Sequence, residues 1–143
     1  MENYLEMKFL SIPENVSFSR STVSAFCLAL DPSVEELNDV KTAVSEAVTN
    51  SIVHGYENRK KEIIEITAKC EKNSVEILIV DHGVGIPDVK RAMEPFFTTK
   101  PNEERSGMGF TIMQTFMDEV AVDSKDGETR VKLLKRFKGN GNV

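Results

Sequence analysis

Apolar and polar residues alternate over residues 4–12, with Leu5, Met7 and Phe9 set against Tyr4, Glu6 and Lys8. That period of two predicts a strand with one buried face. A helix is expected over about Asn15 to Leu30. Asp31 then offers an N-cap with Pro32 at the first helical position, and Glu35 and Glu36 follow in the early turns, where the helix dipole favours acid. This second helix should run to Gly55, a natural stop, with Val40, Val44, Ala47, Val48 and Ile52 as its core seam. Alternation resumes at Ile64, Ile66, Ala68 and Cys70, breaks at Lys72-Asn73-Ser74, and continues through Val75, Ile77 and Ile79, which reads as a hairpin. Regularity fails between Asp81 and Gly109, and a loop that long in a compact domain is usually functional. A helix over about Phe110–Met117 and strands near Glu119–Asp123 and Thr129–Phe137 complete the chain. Phe110, Ile112, Met113 and Phe116 share one apolar face. Helices and antiparallel strands in this order imply an α+β fold: a two-layer sandwich of a mixed, mostly antiparallel sheet with helices on one face.

Composition narrows the picture. The 143 residues suit one domain, 1–143, with a loose tail over 138–143. A net charge of −5 disfavours general attraction to nucleic acid or to an anionic membrane and suits a basic or neutral protein partner. The run Lys132-Leu133-Leu134-Lys135-Arg136-Phe137-Lys138 is basic, but within a final strand it reads as a solvated edge. Cys27 and Cys70 lack metal-ligand spacing and read as reduced core thiols. No apolar run approaches 18 residues, and MENYLEMKFL lacks the character of a secretory signal, so a cytoplasmic protein is expected.

Three clusters carry candidate chemistry. Glu46, Asn50 and His54 are spaced by four and stack on one helix face. Taken alone, a Glu-x-x-x-Asn is most often a solvated face. Asp81-His82-Gly83-Val84-Gly85 ends a strand whose inward set is Val75, Ile77 and Ile79, so Asp81 falls in the inward phase. A buried carboxylate needs a partner, and the amino group of adenine is one; a tight turn with a capped aspartate is the equal alternative. In the third cluster, Arg105-Ser106-Gly107-Met108-Gly109, glycines open a helix whose free N–H groups can cradle phosphate. Lys100 and Arg105 add charge, and Thr98 or Thr99 a hydroxyl. The chain has no P-loop and no eukaryotic-type kinase motifs.

A Glu-x-x-x-Asn helix, Asp-x-Gly-x-Gly after a strand, a Thr/Lys-containing loop, then Gly-x-Gly at a helix start resembles, in that order, the ATPase superfamily of gyrase B, heat-shock chaperones, histidine kinases and mismatch-repair ATPases. SFSRSTVSAF, DPSVEELNDVKTAVSEAVTNSIVHGY, PFFTTKP and ERSGMGFTIMQTFMDEV further resemble the anti-sigma F factor family of endospore-forming bacteria over nearly the whole chain.

The resemblance implies a Bergerat-type ATP-binding fold with ATP/ADP and Mg2+ as cofactors. It makes Glu46 a general base, Asn50 a magnesium ligand and Asp81 the adenine-amino acceptor, with Gly83 and Gly85 shaping the pocket. Gly107, Met108 and Gly109 would line the phosphates, Thr98, Thr99, Lys100 and Arg105 would belong to a lid, and Thr129 would support the adenine. Two positions depart from the family pattern: His82 replaces a small or acidic residue, and Glu128 stands where glycine is common. The implied activity is a serine kinase that holds sigma factor F inactive and phosphorylates an anti-anti-sigma protein. A homodimer is also implied, with Arg20 on its partner face; an ordinary solvated arginine is the alternative there. Rival readings are a kinase regulating a general-stress sigma factor, an ATP-gated binding module without phosphoryl transfer, and the ATP-binding half of a histidine kinase, for whose substrate-histidine domain the chain has no room.

Overall fold

The computed structural model describes residues 2–94 and 109–139. Strand β1 (Glu2–Leu10) leads into helix α1 (Glu14–Cys27), a 3-10 turn (Leu28–Leu30) and helix α2 (Val34–Asn50), which passes into a π-turn (Ser51–Gly55). Strands β2 (Ile63–Glu71) and β3 (Ser74–Asp81) form the expected hairpin. A one-turn helix α3 (Val89–Ala92) lies where regularity was expected to fail, started by Asp88 accepting the Arg91 N–H. Helix α4 (Gly109–Phe116) and strands β4 (Glu119–Lys125) and β5 (Glu128–Arg136) follow.

The sheet runs β1-β2-β3-β5-β4 and is antiparallel at each of its four pairings. One face is apolar: Ile64, Ile66, Ala68, Val75, Ile77, Ile79, Val131 and Leu133 are buried against α1, α2 and α4. This is the expected two-layer α+β sandwich. Helix α2 is the middle helix and touches both α1 and α4. Its seam of Val40, Ala43, Val44, Ala47 and Val48 is wholly buried, because apolar residues three and four apart fall on one helix face. No helix among the described residues is long and apolar enough to cross a membrane.

Three expectations are corrected. The N-cap of α2 is Ser33, not Asp31. Its hydroxyl accepts the Glu36 N–H while the Glu36 carboxylate accepts the Ser33 N–H, a capping box that satisfies two otherwise orphaned donors. Asp31 instead closes the preceding turn in the left-handed region, at φ 51°. The tail is tied down at its start, since the Lys138 and Gly139 amides donate to Glu36 at 2.6 and 3.2 Å; residues 140–143 lie outside the described residues. Burial pushes the Glu36 carboxyl up, but the Lys138, Ser33 and Gly139 amides and the Ser33 hydroxyl outweigh it and hold the group below its usual range. The basic run of β5 is not an edge, because β5 lies between β3 and β4. Its charges are matched locally: Lys132 with Glu76, Arg136 with Glu119, and Lys135 with Asp39 at 3.0 Å and with the Phe116 carbonyl at 2.7 Å.

Both cysteines are free and buried. Burial, with Cys70 adding to it, pushes the Cys27 thiol up to about 12, and burial raises the Cys70 thiol as well, so neither supplies a thiolate nucleophile at neutral pH.

Ser33→Ala should lower the stability of the fold by ~0.5–2 kcal/mol. Urea titration checks this as a lower midpoint with an unchanged slope.

Candidate functional site

Asp81 ends β3 in the inward phase and is only 3% exposed. It is flanked in register by Ile64 on β2 and Thr129 on β5. Thr129 is buried beside it at 6% exposure. Paired residues on antiparallel strands project to the same face, so a carboxylate and a hydroxyl stand side by side at the sheet end, within an otherwise apolar layer. The carboxylate accepts the Gly83 N–H at 3.0 Å and a hydrogen bond from Ser51. Burial nonetheless dominates: it raises the Asp81 carboxyl above its ordinary value against the lowering effects of Gly83, Ser51 and His82. The capped-aspartate turn and the buried acceptor are therefore both realised in one residue. Two internal donors leave part of its accepting capacity for a ligand.

Helix α2 brings up the second set of groups. Glu46 and Asn50 are half-buried near its C-terminal end, one turn apart. A Cβ on Gly109 would stand 3.0 Å from Nδ2 and 3.2 Å from Oδ1 of Asn50, so the Asn50 amide lies against the first residue of α4. The first N–H groups of a helix have no acceptor within it, and the start of α4 lies against Asn50. His54 lies half-buried in the π-turn beyond Asn50. π-turns occur mostly as single turns within helices, often at functional sites.

That turn shapes the surroundings of Asp81. Gly55 packs on Asp81, where a Cβ would meet Oδ1 at 2.8 Å, and the Gly55 carbonyl accepts the Val84 N–H at 2.9 Å. A Cβ on Gly83 would collide with that same carbonyl. Gly85, at φ +81°, lies against the Lys125 carbonyl. The two loop glycines thus answer to the protein's own backbone. Tyr56, 1% exposed, adds a strut: its hydroxyl accepts the His82 N–H at 2.7 Å and donates to the Ile63 carbonyl. The His82 side chain itself faces solvent. On the other flank, Ser124 accepts the Ile86 N–H at 2.7 Å and lies 2.8 Å from the Thr129 hydroxyl. Glu128 is taken up by Lys125 and Arg130, at 3.9 and 3.6 Å.

The structure therefore sets Asp81 beside Gly83, Thr129 at the start of β5 and, through Ser51 and Gly55, the end of α2, where Asn50 lies against Gly109 of α4 and Glu46 stands one turn before it. Thr98, Thr99, Lys100, Arg105, Gly107 and Met108 lie outside the described residues. Arg20 stands apart on α1, half-buried, with its guanidinium 3.4 Å from the Ser45 hydroxyl of α2. Sequence reasoning missed Ser51, Gly55, Tyr56 and Ser124. Ser124 had a signal, since it continues the inward phase of Val120 and Val122; Ser51 and Tyr56 had none, because their partners lie far along the chain.

Because burial raises the Asp81 carboxyl, ionised Asp81 weakens the fold above its folded-state titration, and the penalty vanishes once both states are protonated. Asp81→Asn should unfold at higher urea than the parent at neutral pH. The gap should close as pH falls below the ordinary carboxylate range.

Comparison with known proteins agrees with this geometry. A family model described as a histidine kinase-like ATPase domain matches residues 9–135. The chain is 52% identical over 137 residues to an anti-sigma F factor of Clostridium beijerinckii, covering 95% of this chain and 96% of that one. It is 55% identical over 134 residues to an anti-sigma F factor of Caldanaerobacter subterraneus, covering 93% of each. Among solved structures, one of the RsbU and RsbW domains of a Mycobacterium tuberculosis protein superposes with a TM-score of 0.67 at 16% identity. The match covers 94% of this chain and 32% of that one. A histidine kinase domain from Erythrobacter litoralis superposes with a TM-score of 0.56 at 16% identity, over 85% of this chain and 61% of that one. On its sheet, its convergent motif residues and these matches, the chain belongs to the family of histidine kinase-like ATPase domains.

Proposed function

We propose that the protein is an ATP-dependent serine kinase and anti-sigma factor: it holds a sigma factor of the F type inactive and phosphorylates an anti-anti-sigma protein on serine. The observation that carries this reading is the buried Asp81–Thr129 pair at the sheet end, set beside a helix that presents Glu46 and Asn50. The anti-sigma F factor names of relatives at 52% and 55% identity support the partner class.

The residues suit the cofactors. Asp81 and Thr129 offer buried oxygens to the amino group of adenine, and Asn50 offers a hard amide oxygen beside the start of α4. Among the described residues no group of three or more His, Cys, Asp or Glu could hold a metal. Magnesium keeps several waters and binds substrate phosphates with few protein ligands, and the Asn50 amide oxygen is the protein ligand in this reading. When bound, the ion would neutralise charge between the phosphates.

The chain's own work is orientation and proton transfer. Asp81 fixes the base, and the N–H groups at the start of α4 favour the negative phosphates. Glu46, one turn from Asn50, takes the proton of the attacking serine hydroxyl in this reading. Phosphoryl transfer depends mainly on positioning and on charge stabilisation, with a carboxylate to orient the nucleophile. The lid role of Thr98, Thr99, Lys100 and Arg105, and phosphate contacts from Gly107 and Met108, belong to the same reading. So do a homodimer and a cytoplasmic setting.

With labelled ATP, magnesium and an anti-anti-sigma protein, wild type should label a partner serine. Glu46→Gln should lower that rate by ~10²–10⁴ while keeping nucleotide binding. Binding without transfer in wild type would instead leave an ATP-gated binding module, and transfer with a general-stress partner alone would move the protein to the other sigma class. Arg20→Glu should weaken association with both protein partners while ATP affinity is kept; unchanged association in a pull-down would remove Arg20 from the interface.

A further inference from the structure

Strand β4 turns Val120, Val122 and Ser124 toward the helix layer, and the two valines pack on the core. The third position is a hydroxyl in an apolar phase, and it sits among three polar groups. Its Oγ is 2.7 Å from the Ile86 amide nitrogen, 3.3 Å from the Glu128 carbonyl and 2.8 Å from Thr129 Oγ1. A serine hydroxyl has one proton and two lone pairs. The Ile86 N–H can only donate, so it takes one lone pair. The Glu128 carbonyl can only accept, so it takes the proton. The remaining lone pair is then left for the proton of Thr129. This assignment makes all three bonds at once. The reverse direction would forgo the Glu128 bond and leave the proton of Thr129, a residue 6% exposed, without an acceptor in this group, which buried polar groups avoid.

Saturated in this way, Ser124 orients its neighbour. With its proton committed to Ser124, Thr129 keeps its lone pairs for a ligand, beside the acceptor oxygens of its register partner Asp81. Building on the nucleotide-site reading above, we infer that Ser124 is a positioning residue that sets base specificity. By making Thr129 an acceptor, it turns the pocket wall into an acceptor pair that takes a purine bearing an amine at C6 and rejects one bearing a carbonyl there. A 6-oxo purine would set a carbonyl oxygen against two acceptors, and its N1–H could serve at most one of them, leaving the other unpaired, an arrangement by which polar sites discriminate. Without Ser124, the Thr129 hydroxyl is free to turn and donate to that carbonyl.

Titration of ATP and of inosine triphosphate into wild type, Ser124→Ala and Ser124→Thr tests this. Wild type should prefer ATP. Ser124→Ala should reduce the ratio of the two affinities by on the order of tenfold, and Ser124→Thr, which keeps the hydroxyl, should restore it. A merely structural role predicts equal losses for both nucleotides in Ser124→Ala; that result, or an unchanged ratio, overturns the inference and leaves the nucleotide site intact. Equal binding of both nucleotides by wild type also overturns it. If wild type binds neither, the nucleotide-site reading fails first and this inference falls with it. Should Ser124→Ala not fold, Ser124→Cys, which replaces the hydroxyl with a weak donor and acceptor, should shift the ratio in the same direction.

Discussion

A carboxylate buried in the apolar layer of a small sheet is the constraint around which the rest of this structure is arranged. Asp81 gains nothing for the fold by its position, since burial works against its charge. It persists because donors are brought to it from two directions: the Gly83 amide from the turn that follows, and Ser51 from the end of α2. Each donor imposes its own demand. Seating Ser51 and Gly55 against β3 coincides with the π-turn, and the contact leaves no room for a side chain at position 55 or 83. Gly55 and Gly83 are, in the first instance, the clearance between helix and strand.

The loop after Asp81 is held from both sides by unlike means. Tyr56 braces it from the helix layer through the His82 amide, and Ser124 braces it from β4 through the Ile86 amide. Between these two fixed amides lie Gly83, Val84 and Gly85. A loop held in this manner is preorganised, so little ordering would remain for a ligand bound there to impose.

Much of this was legible from residue order. Period-two alternation located β2 and β3, and its phase alone turned Asp81 inward; the spacing of four placed Glu46 and Asn50 on one face. Legibility failed where the deciding partner is remote. The start of α2 was placed at Asp31 because Asp-Pro is a good opening in isolation, yet Ser33 and Glu36 satisfy two donors where Asp31 could satisfy one. Glu36 also holds the Lys138 and Gly139 amides, a contact across more than a hundred residues that no local pattern records. The basic strand β5 read as an edge because strand order is not written in any one strand. It became an interior strand only through the crossover that sets β4 outside it.

The clasp between Glu36 and the Lys138 and Gly139 amides has a practical geometric consequence. Helix α2 spans Val34–Asn50, roughly 25 Å at the α-helical rise. The clasp sits at its first turn and the Asn50 face at its last. A fluorophore or immobilisation tag joined after Gly139 would therefore leave the molecule at the pole opposite the pocket, reporting on tumbling and assembly without crowding whatever enters at the other end.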